Sequence, residues 1–236
     1  MDTITISPSP LLSRVKEIRH RMQAAGDRGQ VTLLAAVKYA TADQINELHR
    51  ACGVHDIGEN RVQQLLEHYP LLQDKQTLNI HFIGSLQTNK VKYIVDKVCM
   101  IHSLDSLKLA AEIEKQCAKI DRCMDVLVEV NSGHEQSKGG VMPEDVADFC
   151  LALSDFPHLK LRGFMTMAPK CEKNEDYRKY FRETSQLCLD IWTKKLHNIG
   201  RPILSMGMSG SFEVAIEEGA DIVRIGRALF EEPIEK

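Results

Sequence analysis

The sequence has no uninterrupted apolar run approaching the ~20 residues that a membrane-spanning helix requires. Its N-terminus, Met1-Asp-Thr-Ile-Thr-Ile6, lacks a basic segment followed by an apolar one, so no secretory leader is read and a cytoplasmic location is expected. Paired cysteines are missing too. The seven cysteines, at 52, 99, 117, 123, 150, 171 and 188, are odd in number and show no CxxC spacing. That pattern fits reduced, packed thiols rather than a disulfide framework or a zinc site. The nine histidines form no HExxH or similar grouping, and no metal site is expected. Charge of one sign is nearly balanced. A formal net charge of -3 supplies no field to recruit nucleic acid or an anionic membrane. Coiled-coil heptads are absent, which favours a monomer, and no Pro/Gly/Ser linker divides residues 1–236, which read as a single domain.

What is present is a rhythm. Short β-prone apolar runs fall at 31–37, 53–57, 79–83, 98–102, 124–130, 159–165, 202–206 and 221–225. Between them lie stretches with apolar residues at helical spacing, such as Val62, Leu65, Leu66 and Tyr69, or Val146, Phe149, Cys150 and Leu153. A longer stripe runs from Tyr177 to Trp192, and a helix at about 10–25, carrying Leu12, Val15, Ile18 and Met22, precedes the first strand. Thr41-x-x-Gln44 reads as a capping box, and Pro143 suits a first helical turn. Each parallel pairing needs a crossover, so eight alternations point to a parallel sheet. Closure into a (β/α)8 barrel is the first expectation and an open doubly wound sheet the second.

Lys38 closes the first apolar run. Burial there would desolvate the ammonium and make the amine a better nucleophile toward an aldehyde; the plain alternative is a lysine that reaches into solvent from a strand end. Other polar and glycine-rich segments also follow the strands: Gly58-Glu-Asn60, Gly84–Asn89, Asn131-Ser-Gly133, Met165-Thr-Met167, Ser205–Ser209 and Gly226-Arg227. In a parallel barrel they converge on the C-terminal mouth, together with Arg224. Turn chemistry explains much of the glycine and serine, but not two cations at strand ends. The loops at Ser205–Ser211 and Gly226–Ala228 have small residues that let backbone amides approach a phosphate. A Schiff-base lysine beside a phosphate cradle points to a phosphorylated aldehyde, with pyridoxal 5'-phosphate the obvious candidate.

These residues belong to an ordered series: Leu33–Lys38, Gly58-Glu-Asn60, His81-Phe-Ile-Gly84 followed by Gln87-Thr-Asn-Lys90, Ser137-Lys-Gly139, Arg162–Pro169, Leu204–Ser209 and Val223-Arg-Ile-Gly226. On this series, over residues 11–231, the chain resembles the YggS/PROSC family of pyridoxal-phosphate-binding proteins. The resemblance implies a single (β/α)8 barrel like the N-terminal domain of alanine racemase. It implies that Lys38 carries the cofactor as a Schiff base, and that Ser205 and the backbone after Arg224 hold the phosphate. Arg224 would face the pyridine nitrogen, while Asn60 and Met165 would line the ring. Three positions depart from the usual pattern: Val37, Ser211 and Arg227 stand where a serine, an acidic residue and a hydroxyl residue are common. Gly226 N–H is the expected phosphate donor, with Arg227 pairing with the phosphate or turning to solvent.

An arginine facing the pyridine nitrogen stays protonated and discourages a second proton there, which weakens the ring as an electron sink. The expected role is therefore a carrier and buffer of pyridoxal phosphate in cofactor homeostasis rather than an enzyme, with apoenzymes that need the cofactor as conceivable acceptors. Lys138 is a candidate second attachment point on its loop. The alternative enzymatic reading is an amino-acid racemase. It would need a tyrosine from a further domain, for which the sequence, ending at Lys236, leaves no room; Tyr39 is the one tyrosine beside Lys38. An interaction protein with a vestigial pocket and a Schiff-base aldolase are the remaining rivals.

Overall fold

Strand after strand pairs with its sequence neighbour, and the eighth pairs with the first, so the sheet closes into a parallel barrel in the order β1 to β8. The computed structural model describes residues 9–26, 31–135, 138–195 and 200–231; Met1–Ile6 and Ser137 lie outside them. The strands are β1 (Thr32–Ala36), β2 (Asp56–Glu59), β3 (Asn79–Phe82), β4 (Met100–Leu104), β5 (Met124–Val130), β6 (Leu159–Thr166), β7 (Ile203–Ser205) and β8 (Ile222–Ile225). The α-helices are α1 (Pro10–Ala25), α2 (Ala42–Arg50), α3 (Val62–His68), α4 (Leu107–Ala118), α5 (Val146–Ala152), α6 (Arg178–Lys195), α7 (Phe212–Glu217) and α8 (Arg227–Phe230). The closed sheet rules out the open alternative.

Alternation by two sorts side chains between two layers. In β1, Leu33 and Ala35 pack outward into the large core shared with the helices, as does Val37 just past the strand, while Leu34 and Ala36 join Ile83, Ile203 and Ile222 inside the barrel. In β8, Val223 and Ile225 face the helices and Ile222 and Arg224 the interior. Each fully buried aliphatic side chain contributes about 1.5–3 kcal/mol.

Local signals explain several boundaries. Ser9 caps α1 through Leu12 N at 3.1 Å. The Thr41–Gln44 box forms, with Thr41 N donating to Gln44 Oε1 at 2.9 Å and Gln44 N to Thr41 Oγ1 at 3.3 Å. Pro143 opens the 3-10 turn Pro143–Asp145 that leads into α5. Helix α1 buries Leu11, Val15, Ile18 and Met22, so the stripe begins at Leu11 rather than the expected Leu12. It packs against α7 and α8 and covers ground that the four-residue α8 is too short to cover.

Two strands start later than their apolar runs. Val54 and Val98 are buried, yet they belong to the approaches, and β2 and β4 begin at Asp56 and Met100. The sequence run marked burial, not ladder pairing. As a result Gly58 and Glu59 lie within β2, and only Asn60 follows it. The crossover from β3 to β4 is not an α-helix but the 3-10 segment Thr88–Tyr93.

Candidate cofactor-binding site

The C-terminal ends of β1, β2, β6, β7 and β8 bring Lys38, Asn60, Met165, Ser205, Arg224, Gly226 and Arg227 to one end of the barrel. They occupy two depths. Met165, Ser205 and Arg224 lie within or at the last residue of their strands and are buried; Lys38, Asn60, Gly226 and Arg227 lie past strand ends at the rim.

Lys38 corrects one expectation. It is exposed, in a turn one residue past Val37, with Nζ 4.9 Å from the centre of the exposed Tyr39 ring. The strand ends at Ala36, so the chain has already left the core when it reaches the lysine. Burial does not supply its reactivity. Its backbone is nonetheless held: Val37 N donates to Gly58 O at 3.0 Å, and Gln64 Nε2 of α3 donates to Lys38 O at 2.9 Å. Leu34 and Ala36 face inward, and Lys38 stands two residues beyond Ala36 at the barrel rim.

Arg224 is the opposite case, a cation enclosed by its strand neighbours. Nη1 donates to Ser205 O at 2.7 Å and to Ser205 Oγ at 2.8 Å, and Nη2 donates to Thr166 O at 3.0 Å. Burial depresses its pKa to about 10, with Glu129 opposing the shift; it stays cationic near neutrality. Three of the five guanidinium N–H groups are used by these bonds, and among the described residues Nε–H and one Nη2–H make no further hydrogen bond. Asn60 Oδ1 is buried without a partner. An unsatisfied buried acceptor at this mouth fits a polar ring ligand.

Ser205, expected at the phosphate, lies at the deeper of the two levels. It ends β7, is fully buried, and its Oγ lies 2.8 Å from Arg224 Nη1 and 3.1 Å from His102 Nδ1. The partly exposed hydroxyl of the same loop is Ser209, whose Oγ accepts from Ala228 N at 3.3 Å and so joins the loops after β7 and β8. In the sequence Ser205 and Ser209 belong to one motif, and only the fold separates their depths. Gly226 passes so close to Ala36 that a Cβ would lie 3.1 Å from Ala36 O, which draws the β8 loop against the β1 rim. Helices α7 and α8 have six and four residues, so backbone amides rather than a macrodipole are what this corner offers an anion. Arg227 is exposed, with no ion pair among the described residues.

Met165 is fully buried with Met100 and Leu127, forming an apolar floor. On the β3–β6 side the mouth deepens into a cavity of about 160 Å³ lined by Ile83, Asp105, Glu129, Asn131, Lys138 and Met167. Lys138 is exposed and pairs with Glu135. Burial and Asp105 push Glu129 up to about 6, against the pull of Arg224. Sequence reading gives no role to Glu129, Thr166 or His102; Glu129 and His102 share the inward parity of Leu127 and Met100, whereas Thr166 shares the outward parity of Phe164 and meets Arg224 through its carbonyl. Among the described residues no group of three or more His, Cys, Asp or Glu side chains is placed to hold a metal, and no helix is long and apolar enough to cross a membrane.

A family model described as the N-terminal domain of alanine racemase matches residues 13–232, which defines the class to which this barrel belongs. A protein of Aquifex aeolicus is 48% identical over 224 residues, 94% of this chain and 96% of that one. One of Pseudomonas aeruginosa is 38% identical over 231 residues, 98% and 96% of the two chains. Both are named pyridoxal phosphate homeostasis protein, and the present chain belongs to that family. The solved structure of PipY from Synechococcus elongatus with pyridoxal phosphate bound matches with a TM-score of 0.82 at 27% identity, covering 93% of this chain and 99% of that one. Alanine racemase of Clostridium difficile, at 15% identity, has a TM-score of 0.71 over 95% of this chain and 58% of its own; that likeness concerns the fold alone.

Proposed function

We propose that this protein binds pyridoxal 5'-phosphate at the barrel mouth and serves its homeostasis as a carrier and buffer. The observation that carries the reading is Arg224, a buried guanidinium fixed at the end of the barrel by Ser205 and Thr166, in a chain of this family. When bound, the cofactor supplies an aldehyde that condenses with an amine and a ring that can withdraw electrons.

Lys38 is the attachment residue. Because its amine is exposed, reactivity comes from holding the aldehyde beside it, and that task falls to the anchors around it. Ser209 and the backbone of Gly226–Ala228 hold the phosphate; Arg224 donates to the pyridine nitrogen; Asn60 meets the ring edge and Met165 lies beneath it. An arginine donor keeps that nitrogen unprotonated, so the site stores the cofactor rather than driving transamination or decarboxylation. Family membership favours this role over the racemase reading. Lys138 reaches the same mouth and is a second, transient attachment point. All seven cysteines are free thiols, which suits the cytoplasm, where a monomer would release cofactor to apoenzymes.

Titration of the purified protein with pyridoxal phosphate, followed by absorbance, tests the reading. A saturable band above 400 nm, on the order expected of a protonated imine, should form in the wild type and vanish in Lys38→Ala. A band of equal strength in the variant would remove Lys38 from its role, and no band in either would refute cofactor binding.

A further inference from the structure

Beneath the mouth, a file of side chains runs down the barrel interior. Asp56 Oδ1 lies 3.1 Å from His81 Nε2, His81 Nδ1 lies 2.9 Å from His102 Nε2, and His102 Nδ1 lies 3.1 Å from Ser205 Oγ. Ser205 Oγ accepts from Arg224 Nη1 at 2.8 Å. The far end meets solvent. The Asp56 side chain is 24% exposed and lines a cavity of about 220 Å³ with Arg19, Thr32 and His55, near the N-terminal ends of the strands. His102 and Ser205 are fully enclosed.

Counting hydrogens gives this file two self-consistent registers. An ionised carboxylate only accepts, so His81 donates Nε2–H to Asp56 in both. When His81 is protonated, its Nδ1–H goes to His102, which is neutral, keeps its own hydrogen on Nδ1 and donates it to Ser205. The serine oxygen then accepts from His102 and from Arg224, and its hydroxyl hydrogen turns away from both. When His81 has lost one proton to solvent, the bonds reverse. His102 carries its hydrogen on Nε2 and donates to His81, and Ser205 donates to His102 Nδ1. A single proton gained or lost at His81 thus changes the tautomer of a buried imidazole and rotates the hydroxyl against which Arg224 rests.

We infer that Asp56, His81 and His102 are positioning residues for Ser205 and Arg224, and that the protonation of His81 sets how the guanidinium is held at the mouth. The inference rests on the reading of Arg224 as the group that faces the cofactor ring. The charged surroundings favour the first register near neutrality. His81 faces Asp56 from β2, His102 from β4 and Cys99 just before β4; burial alone would depress it, but Asp56 and Cys99 lift it to about 9. His102 faces His81 and Arg224, and burial with those two charges holds it well below its ordinary value. Arg224 faces Glu129 from β5, which in turn lies near Asp105 at the end of β4.

The test begins with the full-length protein and no added cofactor. Long-range ¹H–¹⁵N correlation spectra of the imidazoles, recorded from neutral to alkaline pH, should show His102 as the Nδ1–H tautomer at neutrality. It should change to Nε2–H as His81 titrates. In Asp56→Asn, a conservative change at a partly exposed site, both events should move down by about one pH unit or more, the usual effect of losing a neighbouring opposite charge. A His102 tautomer that stays fixed throughout, or a change unmoved in Asp56→Asn, would overturn the inference. With pyridoxal phosphate added, the bound absorbance band should change at the His81 midpoint in each protein. A band that titrates identically in both would show that the file does not act on Arg224. Failure of any band to form in the wild type would strike the cofactor reading itself, which the spectra of the free protein keep separate.

Discussion

Glu129 carries a carboxylate into the barrel interior, where burial and Asp105 disfavour its charge and Arg224 alone offsets them, so its pKa is pushed up to about 6. For an acid raised above its ordinary value of 4.5, the stabilising contribution is complete below that value and is lost as pH rises through the folded one. Glu129→Gln removes the loss. Its thermal midpoint should exceed the wild type's at pH 8 by a few degrees, on the order of 1–2 kcal/mol, and match it near pH 4. Equal midpoints at pH 8 would contradict this account of the interior charge. Lys38 and Arg224 show what a sequence conveys about single residues. Both were legible as cations at strand ends, and family resemblance gave each a partner. Their depths were not legible, because depth depends on where the strand stops: β1 ends before Lys38, whereas β8 still includes Arg224.

Elements were readable wherever a local signal fixed them. The capping box of α2 and the bounds of α1 depend on residues a few positions apart, and they formed as read. Thr41→Ala should cost about 1 kcal/mol in denaturant unfolding; an unchanged midpoint would mean the cap contributes nothing. The starts of β2 and β4 were misplaced because buried approach residues resemble strand residues. The 3-10 crossover at Thr88–Tyr93 escaped because it is held by tertiary contact rather than by helical periodicity. Gly84 belongs at this scale too. A Cβ there would lie 2.0 Å from Asn60 O, so the loop after β3 rests directly on the backbone of a site residue. Gly84→Ala should destabilise by at least 2 kcal/mol or so and weaken cofactor binding more than a surface glycine change, such as Gly200→Ala, in parallel melting and titration. Equal effects would show that the loop does not brace Asn60.

At the scale of the whole molecule, eight apolar runs were enough to foresee eight strands, and the crossover argument was enough to foresee a parallel barrel. Closure itself decides what the interior contains. Asp56, His81, His102, Ser205 and Arg224 come from five strands spread over most of the chain, and no spacing in the sequence joins them. Ser209 and Ala228 meet for the same reason. The mouth is thus layered, with an exposed lysine and backbone amides at the rim, a fixed arginine below, and a file of histidines reaching toward the opposite end. Such an architecture suits retention of a reactive aldehyde. It places the holding groups on rigid strand ends and leaves the attaching amine where a ligand can reach it.

The central claim is that Lys38 is the residue to which pyridoxal phosphate attaches. Borohydride reduction of the protein mixed with a stoichiometric amount of the cofactor, followed by proteolysis and mass spectrometry, addresses it most directly. The account predicts one reduced adduct on the peptide containing Lys38, with label on Lys138 only at excess cofactor or in Lys38→Ala. An unlabelled Lys38 peptide, with label spread over surface lysines in proportion to their exposure, would contradict it.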